Sequence, residues 1–427
     1  MRIAYRLLLW LLLPLLALHD GWRSLRHADE RGRLAQRLGF APHPGSRDTV
    51  WIHAVSVGEV QAAAALVRAL RRAHPALPIT VSTVTATGAA RARALFGDLG
   101  IGHCYLPYDL PGAVRRFLDR VTPQAAIMLE TELWPSLYAE LARRHVPVVV
   151  GSARLSLRSV GRYRRLATLV RATLAGVTVG AQTATDAERF IAIGADPVRV
   201  HVTGNIKYDL EIPAAQVAAG QALRRDWGAE RPVWIAGSTH EGEEAAALAA
   251  HAALRARQPN ALLLLVPRHP QRFEAVSSLL HRRGTPFAQR SAAQLPQAAD
   301  PVLLVDTVGE LQMFYAAADI AFVGGSLVPV GGHSLLEPAA LALPVLSGPH
   351  THNGQETASL LQQAGALRIV RDADELARAL LDWSAAPGAA RAAGERGRAA
   401  TAANRGAVER LLELVEPLLS RPEAASA

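Results

Sequence analysis

Thr49-Val-Trp-Ile-His-Ala-Val-Ser-Val-Gly-Glu59 runs directly into the alanine- and leucine-rich residues 60–73. β-branched and aromatic side chains crowd residues 50–55, which reads as a buried strand. The apolar residues beyond recur at three- and four-residue spacing, which reads as a helix starting at Val60. Further strands are expected at residues 79–84, 103–106, 125–129, 146–150, 177–180 and 198–202, and a second series at 233–236, 262–266, 302–305, 320–323 and 344–346, with helical patterns between them. Short β-branched runs alternating with longer amphipathic ones mean an α/β fold with parallel sheets, and two such series mean two similar halves. Between them Gly204-Asn-Ile-Lys-Tyr-Asp-Leu-Glu-Ile-Pro213 lacks a clear period, ends in proline and reads as a linker. Two doubly wound, Rossmann-like domains facing across a cleft would place the carboxyl ends of both sheets around a ligand site. The expected plan is an N-terminal helix in residues 1–22, domains at 23–211 and 212–405, and a helix and tail at 406–427 that packs back on the first domain.

Half of the 427 residues are hydrophobic and 19% are charged, enough apolar surface for sizeable cores. One cysteine, Cys104, excludes an internal disulfide and any zinc site built on paired cysteines, and fits a reducing cytoplasm. The net charge of +9 points to an anionic partner: nucleic acid, an acidic membrane surface or a phosphorylated small molecule. Nucleic acid is disfavoured, because aromatics are only 5% and no zinc-finger, basic-zipper or single-strand stacking pattern occurs. The charge is local. Residues 1–50 hold eight arginines against four acids, and residues 154–171 hold six arginines and no acid, interleaved with Leu155, Leu157, Val160, Tyr163, Leu166 and Leu169. A solvated helix face and an anion-binding face both fit that second run.

Residues 7–18 are uncharged, about 18 Å as a helix against a hydrocarbon core of about 30 Å. Arg2 and Arg6 precede them, and His19, Asp20, Trp22, Arg23 and Arg26 follow where a signal peptide would have small residues. An uncleaved, membrane-anchoring helix over residues 3–22 is expected, lying in the interface, with a true span and then a plain core helix as the alternatives.

Neither a dinucleotide GxGxxG nor a Walker GxxxxGK[ST] motif occurs, which removes the best sequence support for hydride transfer and ATP hydrolysis. The richest stretch is Phe322-Val-Gly-Gly-Ser-Leu-Val-Pro-Val-Gly-Gly-His-Ser-Leu-Leu-Glu-Pro338. A strand enters a loop with Gly324, Gly325, Gly331 and Gly332, and a helix is expected from His333 or Ser334, an arrangement suited to phosphate. Glu337 is placed to accept hydrogen bonds from ribose hydroxyls, or simply to complement the helix dipole. Pro267-Arg-His-Pro270 sets Arg268 and His269 at another strand end, within reach of phosphate. In the first half Glu59 stands at a helix start, where the dipole favours the ionised carboxylate, either as a base or as an ordinary first-turn acid. Glu130-Thr-Glu-Leu-Trp-Pro135 is a second acidic cluster at a strand end, in which Glu132 and Trp134 also fit capping and core roles.

Val55-Ser-Val-Gly-Glu59, Glu130-Thr-Glu-Leu-Trp-Pro135, Ser152-Ala-Arg-Leu-Ser156, Gly204-Asn-Ile-Lys207, Pro267-Arg-His269 and Gly331-Gly-His-Ser-Leu-Leu-Glu-Pro338, in that order behind a short apolar N-terminus, resemble the 3-deoxy-D-manno-octulosonic acid (Kdo) transferase family. The resemblance covers nearly the whole chain. It implies a GT-B glycosyltransferase that moves Kdo from CMP-Kdo to a lipid A precursor, lipid IVA, at the cytoplasmic face of the inner membrane, with inversion and with no cofactor or required metal. It implies an acceptor-binding first domain and a nucleotide-sugar-binding second domain. Glu59 is then the base, and Glu130 or Glu132 with Lys207 supports the transition state. Arg268, His269, Gly309, Glu310, Leu311, Gly324, Gly325, Ser334, Leu335, Leu336, Glu337 and Asn353 hold CMP, and Ser56, Gly58, Arg154 and Arg158 meet the acceptor and its phosphates. Two residues depart from the family pattern: Ser334 stands where Asn is expected, and Gly354 where an aromatic is expected. The rival readings are another GT-B enzyme, of the lipid A disaccharide synthase or nucleotide-sugar epimerase kind, and a membrane-tethered non-catalytic anion-binding protein.

Overall fold

The computed structural model describes residues 2–26, 30–297 and 300–419. Residue 1 of the expected N-terminal helix and residues 420–427 of the expected tail lie outside them. The chain divides into two compact units, Met1–Asp209 with Asn404–Ala427, and Leu210–Ala403.

The first unit holds β1 (Thr49–His53), β2 (Ile79–Thr83), β3 (Gly102–Tyr105), β4 (Pro123–Leu129), β5 (Val148–Ala153), β6 (Thr178–Ala181) and β7 (Val200–Val202). They form one parallel sheet in the order β3-β2-β1-β4-β5-β6-β7. The second unit holds β8 (Val233–Thr239), β9 (Leu262–Pro267), β10 (Phe287–Gln289), β11 (Val302–Leu304), β12 (Ile320–Val323), β13 (Val345–Ser347) and β14 (Leu367–Ile369), also parallel, in the order β10-β11-β9-β8-β12-β13-β14. The α/β class and the parallel sheets are those read from the sequence. β10 and β14 escape that reading because each is a three-residue edge strand, too short to show a period.

Every residue of β1, β2 and β8 is buried, so these strands are covered on both faces, the Thr, Ser and His side chains among them included. Helix Val57–Ala73 lays Ala62–Ala65, Leu66, Val67 and Leu70 on one face of the first sheet, and the small alanines let it approach closely. Each fully buried Leu or Val contributes about 1.5–3 kcal/mol. Helix Ala407–Leu419 packs Val408, Leu411 and Val415 into the same core. Its start is pinned by Asp209, whose Oδ1 and Oδ2 accept from Gly406 N at 2.7 Å and Val408 N at 2.6 Å.

In each sheet the connections reverse direction beside the first strand, between β1 and β4 and between β8 and β12. Where neighbouring strands send their following chain to opposite faces, the loops at their carboxyl ends splay apart and leave room for a ligand. The four loops at these two points are 54–59, 130–135, 240–243 and 324–335, and three of them carry motifs singled out above.

Two helix starts differ from expectation. The helix after β1 begins at Val57, three residues early, because Ser56 takes extended backbone (φ −119°, ψ 172°) as its N-cap and nothing in Val57-Gly-Glu opposes the turn. The helix after β12 begins only at Leu336 and runs to Ala340. Gly332 N and His333 N donate to the Gly325 and Gly324 carbonyls at 2.7 and 3.2 Å, and Gly331 and Gly332 adopt left-handed φ of 109° and 78°. These bonds hold residues 331–333 as an irregular loop.

Candidate active site

Glu59 is the third residue of helix Val57–Ala73. Its Oε2 accepts from Val55 N at 2.7 Å and its Oε1 from Ser56 Oγ at 3.0 Å. The side chain therefore braces the helix start and is fixed in place by it, so the capping and catalytic readings describe one geometry. The dipole and these two donors favour the anion. Burial outweighs them, and with Glu130 nearby the carboxyl is raised above its usual value, with Lys207 pulling the other way. The dipole alone thus gives the wrong sign, and a carboxylate whose proton affinity is raised is a stronger base than a free one.

Glu130, the first residue beyond β4, has a left-handed φ of 59°, a conformation that costs a non-glycine residue about 1–3 kcal/mol. Its N–H still donates to the Gly151 carbonyl at 3.0 Å. Its Oε1 meets Lys207 Nζ at 2.6 Å. Lys207 is held through Asn205, whose side chain accepts from Lys207 N at 3.0 Å and donates to Gln182 Oε1 at 3.2 Å. Gln182 in turn donates to the carbonyl of Ser152 at 3.0 Å, and Ser152 has a left-handed φ of 52°. Glu132 accepts from Trp134 Nε1 at 2.9 Å. Burial first, then Glu59 and Glu130, push it up to about 7, while the Trp134 bond resists. Glu59, Glu130, Glu132 and Lys207, remote in sequence, therefore form one electrostatic cluster at the ends of β1 and β4.

Gly58 is exposed in the first turn beside half-buried Ser56. Arg154 and Arg158 are exposed beyond β5. None of the six arginines in residues 154–171 has an acidic partner among the described residues, and Leu157 and Leu166 are exposed between them.

In the second unit the loops after β8 and β12 are joined by Glu243, which is 0% exposed. Its Oε2 accepts from His240 N and Gly325 N at 2.9 and 2.7 Å, and its Oε1 from Ser326 N and Leu327 N, both at 2.9 Å. A Cβ at Gly324 would stand 2.5 Å from the Ser238 carbonyl oxygen, so only glycine lets the two loops meet. His240 and His333 stack with ring centroids 5.1 Å apart and Nε2 atoms 2.8 Å apart, and His269 meets His240 edge-on at 5.3 Å. Burial, then Arg268 and the other imidazoles, hold His333 down at about 4, and His240 and His269 are also lowered, burial first. The cluster is thus neutral at physiological pH, and its positive charge comes from Arg268, which is exposed and has no acidic partner among the described residues.

The other expected donor residues are placed as follows. Gly309 has a left-handed φ of 91° in the turn before helix Leu311–Ala317. Glu310 is engaged by Arg290 at 2.7 Å and by Thr307 Oγ. Leu335 and Leu336 are buried, so only their backbones remain for a ligand, whereas Ser334 is exposed. Glu337 accepts from Gln312 Nε2 at 3.3 Å. Asn353 donates to the Val330 and Gly332 carbonyls at 3.1 and 3.3 Å, which makes it a clamp on the glycine loop. Among the described residues no group of three His, Cys, Asp or Glu is arranged to hold a metal ion. A cavity of about 430 Å³ lies at the opposite ends of β8 and β12, beside Val233, Asp319 and Ile320, and none of these motif residues lines it.

His240 and Glu243 were missed. Gly237-Ser-Thr-His-Glu-Gly-Glu243 follows the first strand of the second half as Ser56-Val-Gly-Glu59 follows that of the first, and this positional correspondence was the available signal. The contacts of Asn205, Gln182 and Ser152 cross three strands and leave no local trace.

Fold and loop placement define a two-unit α/β protein of the GT-B class. In keeping with this, UDP-GlcNAc 2-epimerase from Neisseria meningitidis, a crystal structure bound to UDP-GlcNAc, superimposes with a TM-score of 0.53 at 15% identity over 86% of this chain and 100% of that one. Residues 32–210 match the family model of 3-deoxy-D-manno-octulosonic-acid transferase (kdotransferase). The 3-deoxy-D-manno-octulosonic acid transferases of Haemophilus influenzae and Bordetella pertussis are 42% and 41% identical, over 98% and 93% of this chain and 99% and 95% of theirs. The chain belongs to the 3-deoxy-D-manno-octulosonic acid transferase family and is a glycosyltransferase.

Proposed function

We propose that the protein transfers Kdo from CMP-Kdo to a lipid A precursor, lipid IVA, at the cytoplasmic face of the inner membrane, with inversion at the anomeric carbon. The observation that carries this reading is the convergence of Glu59, Glu130, Glu132 and Lys207 at the ends of β1 and β4. An acceptor hydroxyl attacks the anomeric carbon as the bond to the CMP phosphate breaks, and its proton passes to Glu59. A single displacement inverts the centre and needs no covalent intermediate. Lys207 and Glu130 keep a fixed charge beside the reacting oxygen, and Glu132, titrating near neutrality, serves as a second proton site. On the donor side Arg268 offers charge to the departing phosphate. In the neutral His240–His333 pair one imidazole spends its N–H on the other, and the second keeps a ring N–H to meet departing charge. Glu337 accepts from ribose hydroxyls, and exposed Arg154 and Arg158 meet acceptor phosphates.

The test is turnover. Purified protein incubated with CMP-Kdo and tetraacylated lipid A precursor should yield a product heavier by one or more Kdo residues. No mass gain, or turnover of a UDP-sugar in place of CMP-Kdo, would assign the chain another chemistry.

A further inference from the structure

Of the 46 Lys and Arg residues in the chain, 45 are arginine and one, Lys207, is lysine. A chain that uses arginine everywhere else keeps a compact, three-donor ammonium at this one position. An ammonium on a flexible four-carbon stem holds one place only if its own backbone and its partner's are both fixed. One irregularity in β5 fixes both. The pairing of β5 with β6 passes from Val150–Val179 to Ala153–Ala181, so β5 carries one extra residue, and Ser152 within that bulge takes its left-handed φ of 52°. On one side the Gly151 carbonyl accepts from Glu130 N at 3.0 Å. On the other the Ser152 carbonyl and Oγ accept from Gln182 Nε2 at 3.0 and 3.2 Å, and Ser152 Oγ also accepts from Ile206 N at 3.4 Å, one residue before Lys207.

Gln182 turns this bulge toward the lysine. A carbonyl can only accept, so Ser152 dictates that Gln182 presents its NH2 to β5 and its Oε1 to Asn205. Asn205 must then present its own NH2 to Gln182, which leaves Oδ1 for Lys207 N at 3.0 Å. With Lys207 Nζ 2.6 Å from Glu130 Oε1 the circuit closes, running from Glu130 through the bulge, Gln182, Asn205 and Lys207 back to Glu130. Ser152, Gln182 and Asn205 are 2%, 6% and 7% exposed, whereas the side chains of Lys207 and Glu130 are 32% and 26% exposed, so a buried amide chain lies behind an ion pair that a ligand can reach. Left-handed backbone at two non-glycine residues, Glu130 and Ser152, flanks the circuit; such strain persists only where the surrounding structure over-determines it, and it collects at functional sites. We propose that Gln182 is a positioning residue of the transfer reaction: its own hydrogen bonds go to Ser152 and Asn205, and acting through Asn205 it fixes the backbone from which Lys207 reaches Glu130. The inference rests on the role proposed for Lys207 and adds the group that sets it.

The single lysine makes the test direct. Lysine labelled with carbon-13 gives the full chain one Cε resonance, that of Lys207, which reports the surroundings of the amine independently of turnover. Gln182→Met, of similar length and with no hydrogen-bonding end, should move this resonance toward its position in the urea-unfolded chain. It should also lower kcat by about tenfold, the worth of one hydrogen bond, with KM for CMP-Kdo held within about twofold. In Gln182→Glu a protonated carboxyl donates to the Ser152 carbonyl and accepts from Asn205 Nδ2 as the amide does, so resonance and rate should lie near wild type at low pH and depart from it as the carboxyl ionises. Thermal unfolding shows first that each variant folds, and Gln182→Glu carries the test alone if Gln182→Met does not. A resonance that stays in place, a lowered kcat without a moved resonance, or a moved resonance with wild-type kcat would each overturn the inference. Wild-type protein that turns over no CMP-Kdo sinks the proposed reaction, while the resonance still reads whether Gln182 holds Lys207, so the two failures are distinct.

Discussion

Lys207 Nζ stands 2.6 Å from Glu130 Oε1, and through this contact a cation is held where it also acts on the carboxylate of Glu59. Lys207 lowers Glu59, against burial and Glu130, which raise it. Removing the cation with Lys207→Met should therefore raise Glu59 further and leave less of the base ionised at neutral pH. The acid limb of the kcat/KM profile should move to higher pH, and Lys207→Arg should restore part of the shift. An acid limb that stays in place in the Met variant would separate Lys207 from the titration of the base.

Glu59→Gln is nearly isosteric and keeps both contacts, its amide oxygen accepting from Val55 N–H and its amide nitrogen donating to Ser56 Oγ once that hydroxyl turns. Turnover should fall by at least about 10²-fold, the lower range for loss of a general base. Stability should change by no more than about 1 kcal/mol, because the weaker neutral bonds and the relief of a buried charge act in opposite directions. Rate and melting temperature measured on one sample decide the matter. Near-normal turnover with lowered stability would make Glu59 a cap and pass the base role to Glu132.

Glu132 bears on stability as a function of pH. Its folded value of about 7 lies above the ordinary 4.5, so between these values the folded chain binds more protons than the unfolded chain. That contribution favours the native state at low pH and is lost as pH rises through about 7. Glu132→Gln should accordingly stabilise the protein at pH 8, by on the order of 1 kcal/mol, with the advantage vanishing toward pH 4. Chemical denaturation at the two pH values measures it, and an equal effect at both would remove Glu132 from the titration.

Arg268→Ala and Glu243→Gln should separate binding from positioning. The exposed guanidinium of Arg268 should cost CMP affinity about 1.5–3 kcal/mol on removal and leave stability alone. Glu243→Gln sets an amide NH2 against backbone N–H groups that now find a carboxylate oxygen, so stability should fall by about 3–5 kcal/mol and CMP affinity should fall with it. Calorimetry with CMP beside thermal unfolding reads both. A Glu243→Gln protein that melts early but binds CMP normally would show that the glycine loop does not need this brace to receive the nucleotide.

What the chain discloses unaided is whatever local pattern controls. Strands of the two sheets buried on both faces are predominantly apolar, so β1, β4, β8, β9 and β12 were visible, and glycines needed for close approach or left-handed φ marked the loop after β12. Glu59, Glu130, Glu132 and Lys207 were singled out, the first three for standing beside strand ends and Lys207 through the family resemblance. Local pattern could not say that Lys207 reaches Glu130 across the sheet, that Glu243 gathers four N–H groups from two loops, that the helix after β12 waits until Leu336, or that the apolar N-terminal helix is tied down by Tyr108 and Asp109. A contact between residues far apart in the chain underlies each of these except the late helix start, which the Gly332–Gly325 and His333–Gly324 bonds set within one loop. The free energy of such a contact depends on burial and on which charges share the same low-dielectric space, and packing creates both conditions only once the sheets have formed.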